Sequence, residues 1–201
     1  MPETAIAPAG PERRQVLVDV LVNAFRDDPI FRWVYPGELY ARLAPEWFSL
    51  ATDRLWARAD AYVDGSGDAA SFWVRPGYPL FEPNDLVAME ALFRRQLGDR
   101  SEAVMAAGGA TDGYEPDSPH GFCFYVGVRG AAQGQGLGQA VMRPALERLD
   151  QAGLPAYLVS TNARNVSFYR RFGFEVTAEV EQVPGVTVRP MLRQPGGGGA
   201  R

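Results

Sequence analysis

Apolar residues recur at helical spacing in the first half of the chain. Between Val16 and Phe25 they return every three or four positions, with polar residues between them, and this predicts a helix that begins near Arg14. The segment Asp27-Asp28-Pro29 ends it, because the residue before a proline avoids the helical region. The same periodicity predicts helices over residues 39–59 and 84–97.

Strand patterns alternate with helical ones further along. Segments 61–63 and 69–74 flank a turn rich in Gly and Asp, which predicts a hairpin. The nearly continuous apolar run over 122–128 predicts a strand buried on both faces. After it we expect a Gly-rich turn, a helix over 138–151, a strand over 154–160, a helix over 165–172, and strands over 174–180 and 186–192.

This alternation predicts a single mixed α/β domain over residues 1–194. The Gly-rich end, 195–201, predicts a flexible tail, since it carries almost nothing to bury.

The composition excludes several mechanisms. All 20 basic side chains are Arg and there is no Lys, so pyridoxal enzymes, Walker A proteins, protein kinases and Ser-x-x-Lys acyl enzymes do not fit. A single Cys, Cys123, forbids a disulfide within the chain and zinc sites with several Cys. A single His, His120, forbids two-His metal signatures, so we expect no metal.

The charge and the apolar pattern restrict the partners and the compartment. A net charge of −4 argues against nucleic acid and anionic membranes as partners. No apolar run approaches the ~18 residues of a membrane span, and no secretory signal precedes the first helix. We therefore expect a cytoplasmic protein, either a monomer or a homodimer.

The Gly-rich turn after the 122–128 strand predicts a phosphate cradle. Three alternating glycines open a helix there, where free N–H groups favour an anion and Gly allows close approach. Walker A would need Lys-Ser/Thr after the last Gly, and a Rossmann turn would need Gly-x-Gly-x-x-Gly; neither is present. A tight turn with nothing bound remains an alternative.

Two motifs together resemble the GNAT acetyltransferase superfamily. Gln133, Gly136 and Gly138 fit its Gln/Arg-x-x-Gly-x-Gly/Ala loop, and the segment from Asn165 to Phe174 is similar to its Asn-x-x-x-Tyr-x-x-x-Gly-Phe block. The resemblance implies a mixed, mainly antiparallel central sheet flanked by helices, with splayed central strands that bind acetyl-CoA. It also implies direct transfer of an acetyl group to an amine, with acetyl-CoA as the co-substrate.

The resemblance also implies a set of cofactor-binding residues. Main-chain groups of the 122–128 strand would bond the pantetheine arm, backbone N–H groups of the turn would hold the pyrophosphate, and Asn165 would bond the arm or cap its helix. Relatives often carry a basic residue at the position of Gln135, and Arg164, Arg170 or Arg171 could supply that charge. The predicted set is Val126, Val128, Gln133, Gly134, Gln135, Gly136, Leu137, Gly138, Gln139, Asn165 and Tyr169.

For catalysis the resemblance implies that Tyr169 protonates the departing thiolate, which a phenol can do. Packing of this Tyr in the core is the alternative. A member of the family carries a Glu base at the position of Val159, which cannot accept a proton. The candidate bases are His120, which titrates near neutral pH, the Asp27-Asp28 pair, and Ser160 acting through water.

The acceptor is predicted to be the amine of a small molecule, an antibiotic or a biosynthetic intermediate being candidates. The aromatic residues after Asp28 could line its pocket or pack in the core. Two alternatives stay open, namely an acyltransferase for a peptide or protein amine or for longer acyl groups, and a non-catalytic acyl-CoA-binding module. The predicted substrate-binding residues are Asp28, Phe31, Trp33, Tyr125 and Ser160.

Overall fold

The computed structural model describes residues 6–197 of the 201-residue chain. The helices are α1 (Arg14–Ala24), α2 (Pro29–Val34), α3 (Leu39–Leu55), α4 (Pro83–Leu97), α5 (Ser101–Gly108), α6 (Leu137–Gln151) and α7 (Val166–Arg170). The strands are β1 (Ala7–Pro8), β2 (Ala59–Val63), β3 (Ala69–Val74), β4 (Gly121–Val128), β5 (Ala156–Ser160), β6 (Glu175–Val176), β7 (Val180–Val183) and β8 (Val186–Arg193).

The strands form a central sheet in the order β1-β2-β3-β4-β5-β8-β6, with β7 paired to β8. All neighbouring strands are antiparallel except β4 and β5, which run parallel. Strands β2 and β3 form the predicted hairpin, one on each side of the Gly-rich turn. The prediction of a mixed, mainly antiparallel sheet flanked by helices is therefore confirmed.

The parallel pair of β4 and β5 is very short. Its register contains only Gly121 opposite Ala156 and Phe122 opposite Tyr157. Beyond these pairs β4 continues along β3 to Val128, whereas β5 continues along β8 to its last residue. The two strands therefore part toward their carboxyl ends and leave a gap in the middle of the sheet.

A β-bulge in β4 changes which side chains face which layer. Phe124 is an extra residue between the pairs Cys123–Trp73 and Tyr125–Phe72. Without a bulge, residues 123 and 125 would share one face of the sheet. Instead, Cys123 contacts a methionine of α6, and Tyr125 contacts the aromatic rings of Phe25 and α3 on the opposite face.

Helices cover both faces of the sheet. The apolar sides of α1, α3 and α4 bury one face together with Tyr125, and α6 and α7 bury the other together with Cys123. Each helix therefore contributes one apolar stripe, as the sequence periodicity predicted for α1, α3, α4 and α6.

The structure adds two helices and divides one predicted strand. Helices α2 and α5 lie where no helix or strand was predicted. The predicted strand over 174–180 is divided into β6 and β7, which are separated by residues 177–179; the backbone N–H of Thr177 still donates to the carbonyl of Pro190 in β8 at 2.9 Å. The predicted helix over 39–59 ends at Leu55, and Ala59 already belongs to β2.

The predicted tail is described only in part. Residues 198–201 lie outside the described residues, and Gly196 donates its backbone N–H to Asp150 at 2.7 Å. Within residues 6–197, no helix combines the length and the apolar character needed to cross a membrane.

The close approach of α1 to β4 generates a test of the fold. A Cβ atom on Gly127 would lie 2.7 Å from the Cβ atom of Ala24, which cannot rotate away. We expect Gly127→Ala to lower the free energy of unfolding by about 1–3 kcal/mol, because overpacking must displace the helix. Urea denaturation measures the change. Gly130→Ala is the matched control, since nothing lies within 4 Å of its added Cβ; equal stability losses in both variants would contradict this packing.

Candidate active site

A cleft of about 1350 Å³ occupies the gap between β4 and β5. One part is lined by the free edge of β4, the turn that follows it, and the starts of α6 and α7. The other part is lined by the loop before α2 and by side chains of α2, α3 and α4. The cleft therefore joins a backbone-rich surface to one made of side chains.

The turn before α6 presents a run of backbone N–H groups. Gly134 and Gly136 have φ values of +80° and +81°, in the left-handed region that favours glycine. The N–H groups of residues 134–138 have no hydrogen-bond partner among the described residues. Successive free N–H groups at a helix start form an anion site that needs no basic side chain.

The edge of β4 also faces the gap. The backbone N–H of Arg129 donates to Asp68, which lies on the side of β3. Because successive residues of a strand point their N–H and C=O groups to opposite sides, those of Val126 and Val128 face away from β3. The side chain of Gln133 already donates to the carbonyl of Val128 at 3.2 Å.

Helix α7 places Asn165 and Tyr169 beside this edge, and both line the cleft. The amide of Asn165 makes no capping bond at the start of α7, whereas Asn162 caps the preceding turn by accepting from the N–H of Arg164 at 3.0 Å. The hydroxyl of Tyr169 has no hydrogen-bond partner among the described residues. Burial is the main cause that raises the pKa of Tyr169, and the charges of Cys123 and Asp28 raise it further. The phenol is therefore protonated at neutral pH.

A half-buried carboxylate, Asp28, lies at the start of α2. Its Oδ1 accepts from the N–H groups of Ile30 at 2.9 Å and Phe31 at 3.2 Å, and its Oδ2 accepts from the hydroxyl of Thr161. Burial raises the pKa of Asp28 from its ordinary 3.8 and outweighs the lowering effect of these hydrogen bonds. Asp28 thus connects the first interhelical loop to the residue that follows β5.

Aromatic side chains form the wall beyond Asp28. Phe31 and Tyr125 line the cleft, and the hydroxyl of Tyr125 accepts from the indole N–H of Trp47 at 3.0 Å. The indole of Trp47 stacks on Phe93 of α4 with 5.0 Å between ring centroids. Because this bond satisfies the indole N–H and the rest of the surface is aromatic, the wall is mainly apolar.

The side chains of four residues predicted at the site do not line the cleft, although the backbone N–H of one of them, Gln135, belongs to the free run of residues 134–138. The indole of Trp33 packs under the guanidinium of Arg100, 5.5 Å from its ring centroid, and does not line the cleft. Ser160 is buried and donates to the carbonyl of Asn162 at 3.0 Å. Gln135, whose side chain is exposed, and His120 are also outside the lining. The other predicted residues line the cleft, namely Asp28, Phe31, Tyr125, Val126, Val128, Gln133, Gly134, Gly136, Leu137, Gly138, Gln139, Asn165 and Tyr169.

Both ring nitrogens of His120 are engaged. Nδ1 lies 2.8 Å from the carbonyl oxygen of Ser118, and Nε2 lies 3.0 Å from Oε1 of Glu115. Burial lowers the pKa of His120, but the hydrogen bonds to Glu115 and Ser118 and the charge of Glu115 raise it, and the net shift is upward from 6.5. The imidazole therefore makes its polar contacts within the loop before β4, whereas Glu115 itself lines the cleft.

The sequence interpretation did not assign Thr161 or Glu115 to the site. Thr161 directly follows the predicted strand that ends at Ser160. Because the carboxyl ends of parallel strands meet at one edge of a sheet, this position could have indicated that Thr161 lies at the site. Glu115 lies in a loop rich in Gly, Asp and Pro and gives no local signal. Among the described residues, no group of three or more His, Cys, Asp or Glu side chains could hold a metal.

Comparison with known proteins agrees with this geometry. The model of the acetyltransferase (GNAT) family matches residues 38–174, which is more than half of the chain. The chain belongs to the GNAT family. The matched range includes β4, the turn, α6, β5 and α7, and so the whole backbone-rich part of the cleft.

Several relatives of this GNAT chain are known. It is 27% identical to an uncharacterized N-acetyltransferase of Schizosaccharomyces pombe over 81% of the chain and 55% of the relative. It is 32% identical to a mycothiol acetyltransferase of Cellulomonas flavigena over 71% of the chain and 42% of the relative. The chain thus spans about half the length of the curated relatives it matches.

A solved structure from Corynebacterium glutamicum has the same fold as this GNAT chain. It is described as histone acetyltransferase HPA2 and related acetyltransferase. The TM-score is 0.72, the identity is 24%, and the match covers 96% of this chain and 97% of the other.

The contact between His120 and Glu115 gives a prediction for this GNAT chain. Because His120 is the single His, one imidazole signal in a proton NMR titration reports its pKa. We expect a midpoint above 6.5 that falls in Glu115→Gln, which removes the charge that favours imidazolium. The raised pKa stabilises the fold at pH values below 6.5, and this stabilisation is lost as pH rises through the folded-state midpoint.

Glu102→Gln is the control for this titration, since Glu102 is an exposed carboxylate on α5. It should leave the midpoint where it is in the unmodified chain. A midpoint that is the same in all three proteins would contradict the ion pair.

Proposed function

We propose that the chain is an acetyl-CoA-dependent N-acetyltransferase that transfers acetyl directly to the amine of a small molecule. The observation that carries the proposal is the parting of β4 and β5, which brings the free N–H run of the turn and the hydroxyl of Tyr169 into one cleft. Membership of the GNAT family supports the same reaction class.

The residues present fit an acyl-CoA. The N–H groups of residues 134–138 would bind the pyrophosphate, and the free edge at Val126 and Val128 would bond the amide groups of the pantetheine arm. Asn165 would bond the same arm, and Arg171, which also lines the cleft, would lie within reach of a phosphate. When bound, acetyl-CoA supplies an activated acetyl thioester.

Tyr169 would act as the general acid. Its phenol is protonated at neutral pH and its hydroxyl is not committed to a described partner, so it can donate to the departing sulfur. It would regain a proton from the nitrogen that has accepted the acetyl group. A backbone N–H near Val126 would polarise the thioester carbonyl. His120 takes no step in this scheme, because both of its ring nitrogens are engaged outside the cleft.

Within the family, the segments at 153–156 and 163–165 are similar to puromycin N-acetyltransferase, which favours a small-molecule amine such as an antibiotic. This chain has Val159 where that enzyme has a Glu, and Val159 lines the cleft. A peptide amine, a longer acyl group and a non-catalytic acyl-CoA-binding role are the alternatives. Thiol release with acetyl-CoA and panels of small amines and peptides separates them, and binding of CoA without any turnover would overturn the proposed function.

The acid role of Tyr169 is tested by Tyr169→Phe. We expect kcat to fall about 10²-fold or more, since general acid–base groups contribute typically 10²–10⁴-fold, while the Kd of acetyl-CoA changes less than about threefold. Tyr157→Phe is the matched control, because its buried hydroxyl has no described partner and does not line the cleft. If Tyr169→Phe turns over as fast as the control, Tyr169 is not the acid.

The anion site in the turn is tested by Gly136→Ala. At φ +81° an alanine is strained by about 1–2 kcal/mol. The free turn can relieve this strain by changing its conformation, whereas binding of the pyrophosphate requires the original one, so we expect a rise of up to roughly tenfold in the Kd of acetyl-CoA, measured by calorimetry. Gly185→Ala imposes the same kind of strain at φ +77° in the β7–β8 turn and should leave that Kd unchanged. Equal affinity in both variants would exclude the turn as the phosphate site.

A further inference from the structure

The part of the cleft beyond Asp28 is an aromatic chamber. We use acceptor chamber for the space lined by Phe25, Phe31, Trp47, Phe93, Phe124 and Tyr125. Neighbouring rings contact one another, with 5.6 Å between the centroids of Phe25 and Phe31 and 4.1 Å between those of Phe124 and Tyr125. These surfaces exclude water and offer flat apolar area to a ligand.

The charges around this chamber are of one sign. Among the described residues that line the cleft, the charged side chains are four carboxylates and one guanidinium, Arg171. Arg171 follows α7, next to the proposed cofactor surface and away from α2, α3 and α4. Two of these carboxylates are already paired, Asp27 with Arg32 at 3.5 Å and Glu115 with His120 at 3.0 Å. Neither Arg32 nor His120 lines the cleft, so no cationic side chain among the described residues lines the side that would receive the acceptor.

Asp28 lines the same cleft as the chamber rings and Tyr169. It makes no ion pair with a described residue, although it is half-buried. Its Oδ2 contacts Thr161, which also lines the cleft, and its charge contributes to the raised pKa values of both Tyr125 and Tyr169. A carboxylate that has lost much of its water and has no counter-ion is stabilised by a cationic ligand.

The hydrogen bonds of Asp28 leave room for that ligand. Oδ1 accepts from two backbone N–H groups, whereas Oδ2 accepts only from Thr161. A carboxylate has about four acceptor positions, so one on Oδ2 remains for a further donor.

We propose that the acceptor is a primary amine on an uncharged aromatic body, that its ammonium pairs with Asp28, and that Asp28 takes its proton. This inference rests on the proposed function and names the substrate class and the base. Asp28 takes one ammonium proton, and the N–H electron pair stays on nitrogen and forms the new bond to the acetyl carbon. The C–S bond breaks, sulfur takes the proton of Tyr169, Tyr169 regains one from the acylated nitrogen, and Asp28 releases its proton to water.

A matched set of amines tests the substrate class on the full chain with acetyl-CoA. The set is 2-phenylethylamine, phenylalanine (the same body with a carboxylate), ethylamine (no ring) and spermidine (several charges and no ring). We expect kcat/KM for 2-phenylethylamine to exceed each of the others at least tenfold, because the ring fills the chamber and the carboxylates repel an anion. Preference for spermidine, ethylamine or phenylalanine would overturn the inference and leave the proposed function standing. Acetyl-CoA binding with no acetylation of any amine would overturn both.

Asp28→Asn tests the base. Asparagine keeps the volume and caps helices well, so the fold should be retained. We expect kcat/KM for 2-phenylethylamine to fall at least about 10²-fold with an unchanged Kd for acetyl-CoA. O-Benzylhydroxylamine has a similar body but is neutral at pH 7 and has no ammonium proton to give up. The fall in kcat/KM that Asp28→Asn causes for this substrate should therefore be at least tenfold smaller.

Asp99→Asn is the control, because it removes one exposed carboxylate in the turn between α4 and α5 and should keep full activity with both amines. Equal losses for the two amines in Asp28→Asn would mean that Asp28 acts only on structure, and this would overturn its assignment as the base.

Discussion

The loss of pairing between β4 and β5 after two residue pairs is the constraint on which the site depends. A continued parallel ladder would satisfy the backbone groups of both strands and close the cleft. Each strand keeps its other neighbour, β3 or β8, so the gap costs hydrogen bonds on one edge only. The bulge at Phe124 belongs to the same arrangement, because it turns Tyr125 toward α1 and α3 and so provides part of the acceptor chamber.

The two ends of the cleft have opposite electrostatic character without any lysine. At one end, free N–H dipoles of the turn create a positive potential in a chain whose net charge is −4. At the other end the potential comes from carboxylates, of which Asp28 is half-buried and has no described counter-ion. A ligand with several phosphates is therefore favoured only at the turn, and a cation only near α2. Under the proposed function, this separation would direct the two substrates to different ends of the cleft that Tyr169 also lines.

Local patterns predicted the backbone part of the site and missed much of the side-chain part. The strand, turn and helix from 122 to 151 are contiguous, and the glycines and periodicity lie within one segment. Helix α2 has only six residues, too few for periodicity, although Asp28 before Pro29 is a typical helix start. The contact of Asp28 with Thr161 joins residues 133 positions apart, and no single sequence reveals such a contact. Trp33 was misplaced for a related reason, since helical geometry directs it away from the face that Phe31 presents to the cleft.

The environment of Asp28 is consistent with the base role proposed for it in a chain that has Val159 where a member of the family has a Glu. Burial favours its neutral form, whereas the hydrogen bonds from Ile30, Phe31 and Thr161 favour its anion. Burial prevails, so the pKa of Asp28 rises and the carboxylate becomes a better proton acceptor for the ammonium that we propose it binds. The same hydrogen bonds fix the orientation of the carboxyl group in both protonation states, because one oxygen is held by the backbone and the other by Thr161. A base that is held in this way can take a proton without moving away from the nitrogen that loses it.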